Sequence, residues 1–490
     1  MEQDNNLKTD NIDQQALDAY IQKRLKEETE KRGSQSEIRL ESLRVVGSLL
    51  IIFVLGLFIV SPFVQLILRM INGIDDLPLM VTSYYVRYYQ WTIRNIHYIA
   101  CFTAVLLILW KILYLIVRRR EGVHSEKHAP VKEMLVRMLP QILFALFALW
   151  IVLATVIRGH NEYDLTGHPY MYESIYSYIC YALVYFFCGT VLFRSSHKRI
   201  LLYALIFTAL PINVLALVNE WFTAIRYFNG REVCAVFHNS NHYGYYLVMV
   251  IIASAILFVY EKKLIWRAVD AVSAIIGTMV LVINNTFGAF LSVLIVLISF
   301  AVYAFLKDRT YFKRALLVLG GYLLVIFVMS FWYSTIFLSI TTFSKDLMNI
   351  AADPLEADNA GSHRWALWKG TVKHLPESPF TGFGVEGLLN TYYIGTPHNE
   401  LLQYAEFFGI PAALLYLSAV VFVIASVMKH SRKLSKMTLV CFCVSVGYFA
   451  SSMFGCAIYY TTPFFYIFLG LTYAELFRGK PAAPPEEKTQ

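Results

Sequence analysis

The chain contains 490 residues, of which 57% are apolar and 16% are charged, and its formal net charge is +8. A soluble domain carries about 25% charged residues, so this composition excludes a single soluble core and predicts a membrane protein. The positive charge is spread over many short segments rather than gathered in one patch. We therefore expect no nucleic-acid partner and interpret the basic residues as a signal of membrane topology.

The hydrophilic N-terminal segment, residues 1–44, precedes the first apolar stretch and is predicted to be a cytoplasmic helix with a linker. Between residues 14 and 32, Leu17, Ile21 and Leu25 follow helical spacing among dense mixed charge. This pattern fits a solvated helix, and a partner-binding helix is the alternative. The segment has no short apolar core followed by a cleavage site, so we expect no removable signal peptide.

Apolar stretches of about 20 residues, long enough to cross roughly 30 Å of hydrocarbon, recur along the rest of the chain. They predict an all-α, polytopic membrane protein with about twelve transmembrane helices. The predicted spans lie near residues 46–68, 95–117, 138–157, 174–193, 200–218, 243–260, 268–285, 287–306, 315–338, 409–428, 438–456 and 458–477.

Lysine and arginine residues in the connections between these spans predict the orientation of the chain. Basic connections alternate with connections that are poor in Lys and Arg, so all the basic ones share one side if every span crosses once. That side is predicted to be the cytoplasm, with both termini on it. The residues concerned are Arg118, Arg119, Arg120, Arg194, Lys198, Arg199, Lys262, Lys263, Arg267, Lys307, Arg309, Lys313, Arg314, Lys429, Arg432, Lys433 and Lys436.

One outer connection, near residues 339–408, is far longer than its neighbours and rich in Trp, Tyr and Phe. A long connection in a compact helical protein is either functional or disordered, and this composition argues against disorder. The predicted organisation is a cytoplasmic segment at 1–44, spans 1–9 within 45–338, a large extracytoplasmic loop at 339–408, spans 10–12 within 409–477, and a disordered cytoplasmic tail at 478–490.

Cysteine usage predicts no disulfide framework, because only Cys234 lies in a predicted outer loop. The other cysteines lie within or beside apolar stretches: Cys101, Cys180, Cys188, Cys441, Cys443 and Cys456.

Ionisable residues are nearly absent from the predicted spans. Lys111 and Glu475 are close enough to the cytoplasmic edge to snorkel, and Pro211 with Asn213 is the only hint of a broken helix. A transporter commonly places a charge or a broken helix near the midplane. The polar resources of this chain instead concentrate in the outer connections.

The stretch Ser362–His374 in the long loop is predicted to form a helix that lies flat in the membrane interface, because Trp365, Trp368 and Val372 share one stripe. Arg364 lies on the flank of that stripe, where its guanidinium would reach the headgroup layer. The planar guanidinium makes paired bonds to phosphate oxygens. Binding of ordinary lipid phosphates is the alternative role.

Further along, the turn-forming sequence Pro379-Phe-Thr-Gly-Phe-Gly384 precedes a second helix that runs into the tenth span. His398 and Asn399 open that helix. A neutral imidazole at this place could accept a proton from an attacking hydroxyl, and a purely structural His-Asn pair is the alternative. Glu406 lies about 12 Å further along the helix, too far to orient His398, and is interpreted as structural.

The outer loop near residues 219–242 is dense in hydrogen-bond donors. Two arginines there could neutralise much of the charge of a diphosphate, and interfacial snorkelling is the alternative. Arg158, in the preceding outer loop, is a weaker candidate. The donors of this loop are Arg226, Arg231, His238, Asn239, Asn241 and His242.

Taken in order, Arg364 with Trp368, the Pro379–Gly384 turn and His398-Asn399 resemble the outer-loop signature of the bacterial O-antigen ligase and polymerase family. Arg231 followed by Phe237-His-Asn-Ser-Asn-His-Tyr-Gly is similar to the second signature of that family. The resemblance covers roughly residues 200–475. It departs at Thr286-Phe287-Gly288, where the family often shows a Ser-Arg-Gly-like element, so that arginine is missing here.

The resemblance implies transfer of a glycan from an undecaprenyl-diphosphate carrier to an acceptor hydroxyl at the outer face of the bacterial cytoplasmic membrane. It also implies a helical fold related to other lipid-dependent membrane glycosyltransferases, with no metal and no cofactor. The acceptor would be a glycan, a lipid or a protein. Carried onto this chain, His398 and Arg364 are catalytic, and the substrate-binding residues are Arg226, Arg231, Asn239, Asn241, His242 and Asn399.

Two other classes of function stay open at this point. A transporter or flippase of lipid-linked oligosaccharides would also have about twelve spans, but it needs a charged cavity through the membrane. An adhesion or assembly surface without chemistry is the third possibility.

Overall fold

A computed structural model describes residues 6–71, 104–105, 107–120, 131–168, 173–192, 194–222, 234–237, 239–459 and 461–477. Within these ranges the chain is helical and contains no strand. The α-helices are α1 Asn6–Ile71, α2 over residues 107–120, α3 Val131–Arg158, α4 Glu162–Thr166, α5 Ile175–Val191, α6 Ser195–Trp221, α7 Ser240–Tyr260, α8 Leu264–Asn284, α9 Phe287–Lys307, α10 Arg309–Met329, α11 Thr335–Ala352, α12 Arg364–His374, α13 Gly387–Tyr392, α14 Glu400–Phe408, α15 Ile410–His430, α16 Lys436–Ser452 and α17 Thr462–Phe477.

The protein is a polytopic membrane protein, as its composition predicts. Among the described residues, eight helices are long and apolar enough to cross a membrane, and two shorter apolar helices, Ile175–Gly189 and Lys436–Ser452, accompany them. The number twelve stays a prediction. The eight are Ile38–Ile67, Leu135–Arg158, Ser195–Trp221, Ser240–Tyr260, Leu264–Asn284, Phe287–Lys307, Arg309–Met329 and Ile410–Lys433.

The chain divides into two compact units, and the smaller one comprises residues 1–50 and 105–129. In it, the indole Nε1 of Trp110 donates a hydrogen bond to the carbonyl of Leu43 at 2.7 Å. Arg44 Nε donates to the hydroxyl of Tyr114 at 3.2 Å. The predicted N-terminal helix is present, as part of α1.

The larger unit, residues 51–104 and 130–490, contains the rest of the helices. Its core is organised around α7, which is buried along nearly its whole length. A helix that is apolar on every face must be covered all round, and α8, α9 and α16 provide this cover. These helices can approach α7 closely where they carry small residues. A side chain at Gly447 of α16, for example, would meet Ile252 of α7 at 2.2 Å.

The long loop begins earlier than predicted, and it contains helices over both stretches that were predicted to be helical. α10 ends at Met329 rather than near residue 338, and the chain turns at Ser330 through Tyr333. Phe331 and Trp332 are strongly exposed in this turn. Their apolar character extends the hydropathy pattern of the span, so the pattern cannot separate the end of the helix from the turn. Helices α11 to α14 then occupy the loop.

Candidate functional site

The Pro379–Gly384 turn is joined to the end of α14 by backbone hydrogen bonds. Phe383 N–H donates to the Glu406 carbonyl at 2.7 Å, and Gly384 N–H donates to the Phe407 carbonyl at 2.9 Å. Gly382 has φ +65, and an added Cβ would lie 2.5 Å from the Glu406 carbonyl oxygen. The glycine is needed because both the left-handed backbone and the close approach exclude a side chain.

Arg158 at the end of α3 holds this junction together. Its guanidinium pairs with Asp164 at 2.5 Å and donates to the carbonyls of Thr381 and Phe407 at 3.1 and 3.2 Å. The other oxygen of Asp164 accepts from Val385 N–H at 3.0 Å. Arg158 was a weak candidate for phosphate binding, and these contacts account for it as a structural clamp.

Arg364, the first residue of α12, contacts the start of α7. One terminal nitrogen donates to the Gly361 carbonyl at 3.0 Å, and the other approaches Asn241 Oδ1 at 3.4 Å. Its Nε is buried and has no hydrogen-bond partner within the described ranges. The guanidinium therefore keeps donor capacity that no acceptor among the described residues uses.

His398 lies between α13 and α14 in a left-handed backbone conformation, with φ +48. Such a conformation is uncommon for a residue with a side chain and is found at functional sites. Trp368 of α12 donates its indole N–H to the Pro397 carbonyl at 2.7 Å, which attaches the Arg364 helix to the residue before His398. The ring Nδ1 of His398 lies 3.4 Å from Cys456 Sγ.

Burial and, to a smaller extent, the positive charge of nearby Arg364 together lower the pKa of His398 to about 4. The ring is therefore neutral at pH 7 and can accept a proton. The same interaction shows that Arg364 and His398 are electrostatic neighbours, although one opens α12 and the other precedes α14.

Two asparagines predicted to bind substrate serve as helix caps. Asn399 Oδ1 accepts from the N–H groups of Leu401 and Leu402, both at 3.1 Å, and its amide donates to the Met453 carbonyl at 3.1 Å. Asn239 Oδ1 accepts from Asn241 N–H at 2.7 Å. These bonds explain why asparagine stands at both positions, because its side chain satisfies exposed N–H groups at a helix start.

The remaining predicted substrate-binding residues divide between described and undescribed parts of the chain. His242 is buried in the first turn of α7, beside Asn241. Arg226 and Arg231, as well as the neighbouring donor His238, lie outside the described residues. Their roles stay predictions.

Four buried carboxyl groups near these residues escaped the sequence analysis as a group, although each lies at or beside a predicted loop. Burial raises the pKa of all of them, and it raises that of Glu173 to about 8. Glu386 accepts a hydrogen bond from Thr396 at 2.5 Å, whereas neither oxygen of Glu406 has a hydrogen bond to a described side chain. The spacing of polar residues along the sequence does not show whether a given carboxyl group is exposed or buried. The four residues are Glu173, Glu386, Glu400 and Glu406.

Phe287 stands where the resembled family often has an arginine. Its ring packs against Phe343 of α11, with centroids 5.0 Å apart. The neighbouring Thr286 hydroxyl donates to the Ser240 carbonyl at 3.2 Å. This position is therefore used for packing of α9 against α7 and α11.

Residues 271–417 match the family model described as O-antigen ligase. Over this stretch the chain is similar to O-antigen ligases. The matched stretch runs from α8 into α15 and includes Arg364, His398 and the Pro379–Gly384 turn. It supports O-antigen ligase-like activity in surface polysaccharide synthesis, on a lipid-linked glycan and in a membrane environment. A search of curated proteins gave no match.

This match confirms the resemblance that the outer-loop signature predicts. The match begins after α7 and ends before α16, so Asn241 and Cys456 lie outside it. No sequence signal singled out Cys456, because a cysteine at the edge of an apolar stretch is ordinarily a packing residue.

Proposed function

We propose that this protein transfers a glycan from undecaprenyl diphosphate to an acceptor hydroxyl at the outer face of the bacterial cytoplasmic membrane. The observation that carries the proposal is that the Trp368–Pro397 hydrogen bond joins the helix of Arg364 to the residue before His398, while Arg364 itself reaches Asn241 at the start of α7. A guanidinium whose Nε has no partner among the described residues, near a neutral imidazole, suits a reaction that releases a diphosphate and removes a proton.

The chemical step balances with these two groups. The acceptor oxygen bonds to the anomeric carbon of the donor glycan while the bond from that carbon to the diphosphate breaks. The hydroxyl proton moves to His398, and the electron pair leaves with undecaprenyl diphosphate. Negative charge grows on the leaving group as the bond breaks, so Arg364 stabilises the transition state more than the ground state.

The donor explains why the site belongs at headgroup depth. Undecaprenyl diphosphate diffuses in the membrane plane with its phosphates at the interface, and α7 is a membrane-spanning helix whose first turn carries Asn241 and His242. Asn241 and His242 are assigned to the glycan or diphosphate, as are Arg226 and Arg231 from the adjoining loop. Both termini are assigned to the cytoplasm from the basic connections.

The test is transfer by the purified protein in lipid nanodiscs. Undecaprenyl-diphosphate glycan is offered with lipid A core, a second carrier-linked glycan or a protein as acceptor, and the product is followed by mass spectrometry. His374→Ala, in the same loop but paired with exposed Glu377, is the matched control for His398→Ala. Turnover without added metal and in the presence of EDTA is expected, since no metal is assigned to the reaction. Loss of activity in EDTA would contradict that part.

A flippase of lipid-linked oligosaccharides is the competing function. It predicts that the carrier lipid crosses the bilayer of reconstituted vesicles without formation of a new glycosidic bond. Such movement, combined with no transfer to any acceptor, would replace the proposal.

A further inference from the structure

The turn between α16 and α17 is hydrogen-bonded to α14, which follows His398, and to α7. The Met453 carbonyl accepts from the Asn399 amide at 3.1 Å, and Ala457 N–H donates to Gln403 Oε1 at 2.7 Å. On the other side, the Tyr245 hydroxyl of α7 donates to the Phe454 carbonyl at 2.7 Å. The turn thus has little freedom relative to His398.

Cys456 lies in this turn and is 1% exposed. Its sulfur faces His398 in two ways, because the ring Nδ1 lies 3.4 Å away and the backbone N–H of His398 also hydrogen-bonds to the thiol. Burial, followed by the charge of Glu386, raises the pKa of the Cys456 thiol, so the sulfur stays uncharged. The sulfur is a weak acceptor for the backbone N–H of His398, and the direction of its contact with the ring Nδ1 depends on the tautomer of the ring.

We infer that Cys456 is a positioning residue whose sulfur accepts the Nδ1–H of His398 and thereby leaves Nε2 unprotonated and available to the acceptor hydroxyl. The inference rests on the proposed function, in which His398 takes that proton. Neutral histidine carries its proton on one nitrogen only, and the partner of that nitrogen selects the tautomer. The left-handed backbone of His398 and the fixed turn together bring the ring to the sulfur.

The experiment compares Cys456→Ala with Cys456→Ser in nanodisc-reconstituted protein, with Cys443→Ala as a matched control. Cys443 is also buried but belongs to α16, away from His398. Cys456→Ala is expected to lower kcat about ten- to hundredfold with little change in the KM for the donor, because a misdirected base affects the transition state only. Cys456→Ser keeps an acceptor and is expected to recover part of this loss.

A double-mutant cycle separates failure of this inference from failure of the proposed function. In a His398→Ala background, Cys456→Ala is expected to cause no further loss. If His398→Ala is inactive while Cys456→Ala keeps normal kcat, the positioning role is wrong and the base role stands. If His398→Ala is fully active, both are wrong.

The tautomer of His398 can also be measured directly, which tests the inference even if none of the acceptors is a substrate. Histidine-selective 15N NMR, with the His398→Ala spectrum used for assignment, is expected to show the Nδ1–H tautomer in the wild-type protein and a changed tautomer balance in Cys456→Ala. An Nε2–H tautomer in the wild-type protein, or identical ring shifts in the two proteins, would overturn the inference.

Discussion

Two polar clusters, one buried and one half-buried, lie at opposite ends of α16 and α17, and they differ in how fully their polar atoms are paired. At one end, Lys198 is buried and its ammonium bonds to Glu475 at 2.7 Å and to Thr438 at 2.5 Å. Ser435 donates from both its N–H and its hydroxyl to Glu475 at 2.7 Å. At the other end, Arg364 Nε has no partner among the described residues, and within the same ranges the ring of His398 has one weak hydrogen-bonding contact, to Cys456.

This difference separates a structural cluster from a site. A buried charge costs free energy unless it is paired and hydrogen-bonded, so a saturated cluster stabilises one arrangement of helices. Polar groups that lack hydrogen-bond partners within the protein are available to bind a ligand. Pairing, rather than charge alone, therefore favours the His398 end as the candidate site.

His398→Ala should give the largest effect on turnover, a fall of about two to four orders of magnitude, because the general base is lost. The thermal unfolding temperature should change little, since the ring makes one weak contact. Transfer assays on the nanodisc protein, with His374→Ala as control, measure the first quantity. Near-normal turnover would remove the base role.

Glu475→Ala should act in the opposite way, lowering stability by about 3–5 kcal/mol because it leaves the Lys198 ammonium buried and unpaired. Catalysis per folded molecule should be preserved. Thermal or denaturant unfolding in detergent measures the loss, and Glu377→Ala, which removes an exposed pair with His374, should cost far less. Replacing Lys198 and Glu475 together with Met and Leu should restore most of the stability. A stable Glu475→Ala protein would contradict the structural assignment.

Arg364→Ala should weaken donor use by about 1.5–3 kcal/mol of charge-assisted binding, and Arg364→Lys should recover only part of it. Lys369→Ala, on the same helix but in an exposed ion pair with Asp358, is the matched control. Measurement of kcat/KM for the donor distinguishes paired hydrogen bonding to the diphosphate from simple charge attraction and from contact with ordinary lipid. Full recovery with lysine would indicate simple charge, and no effect would indicate contact with ordinary lipid.

The pH profile should show the smallest change. Because burial and Arg364 hold the pKa of His398 at about 4, the base stays neutral above that value and kcat/KM falls only as the pH drops through it. From pH 7 to 5.5, kcat/KM should stay within about twofold, whereas a base with an ordinary pKa would lose roughly tenfold. A fall centred near pH 6.5 would show that the free protein exposes His398 to water.

The sequence alone was enough to predict an all-α membrane protein, and its assignment of Arg364 and His398 in the long loop as site residues stays a prediction. The hydropathy of a span depends only on the residues of that span, and the outer-loop signature lies within one connection. The spans and the signature can therefore both be recognised without knowing the fold. The O-antigen ligase match then confirmed the family that this signature resembles.

Tertiary structure decided which polar residues have partners. Arg158, Asn239 and Asn399 are occupied in clamps and caps, whereas Cys456 lies against His398 from a turn that follows in the chain by many residues. Neither outcome is encoded by spacing, because both depend on contacts between helices far apart in sequence. Burial by those contacts also makes the His398 ring neutral, which the residue type by itself leaves undecided.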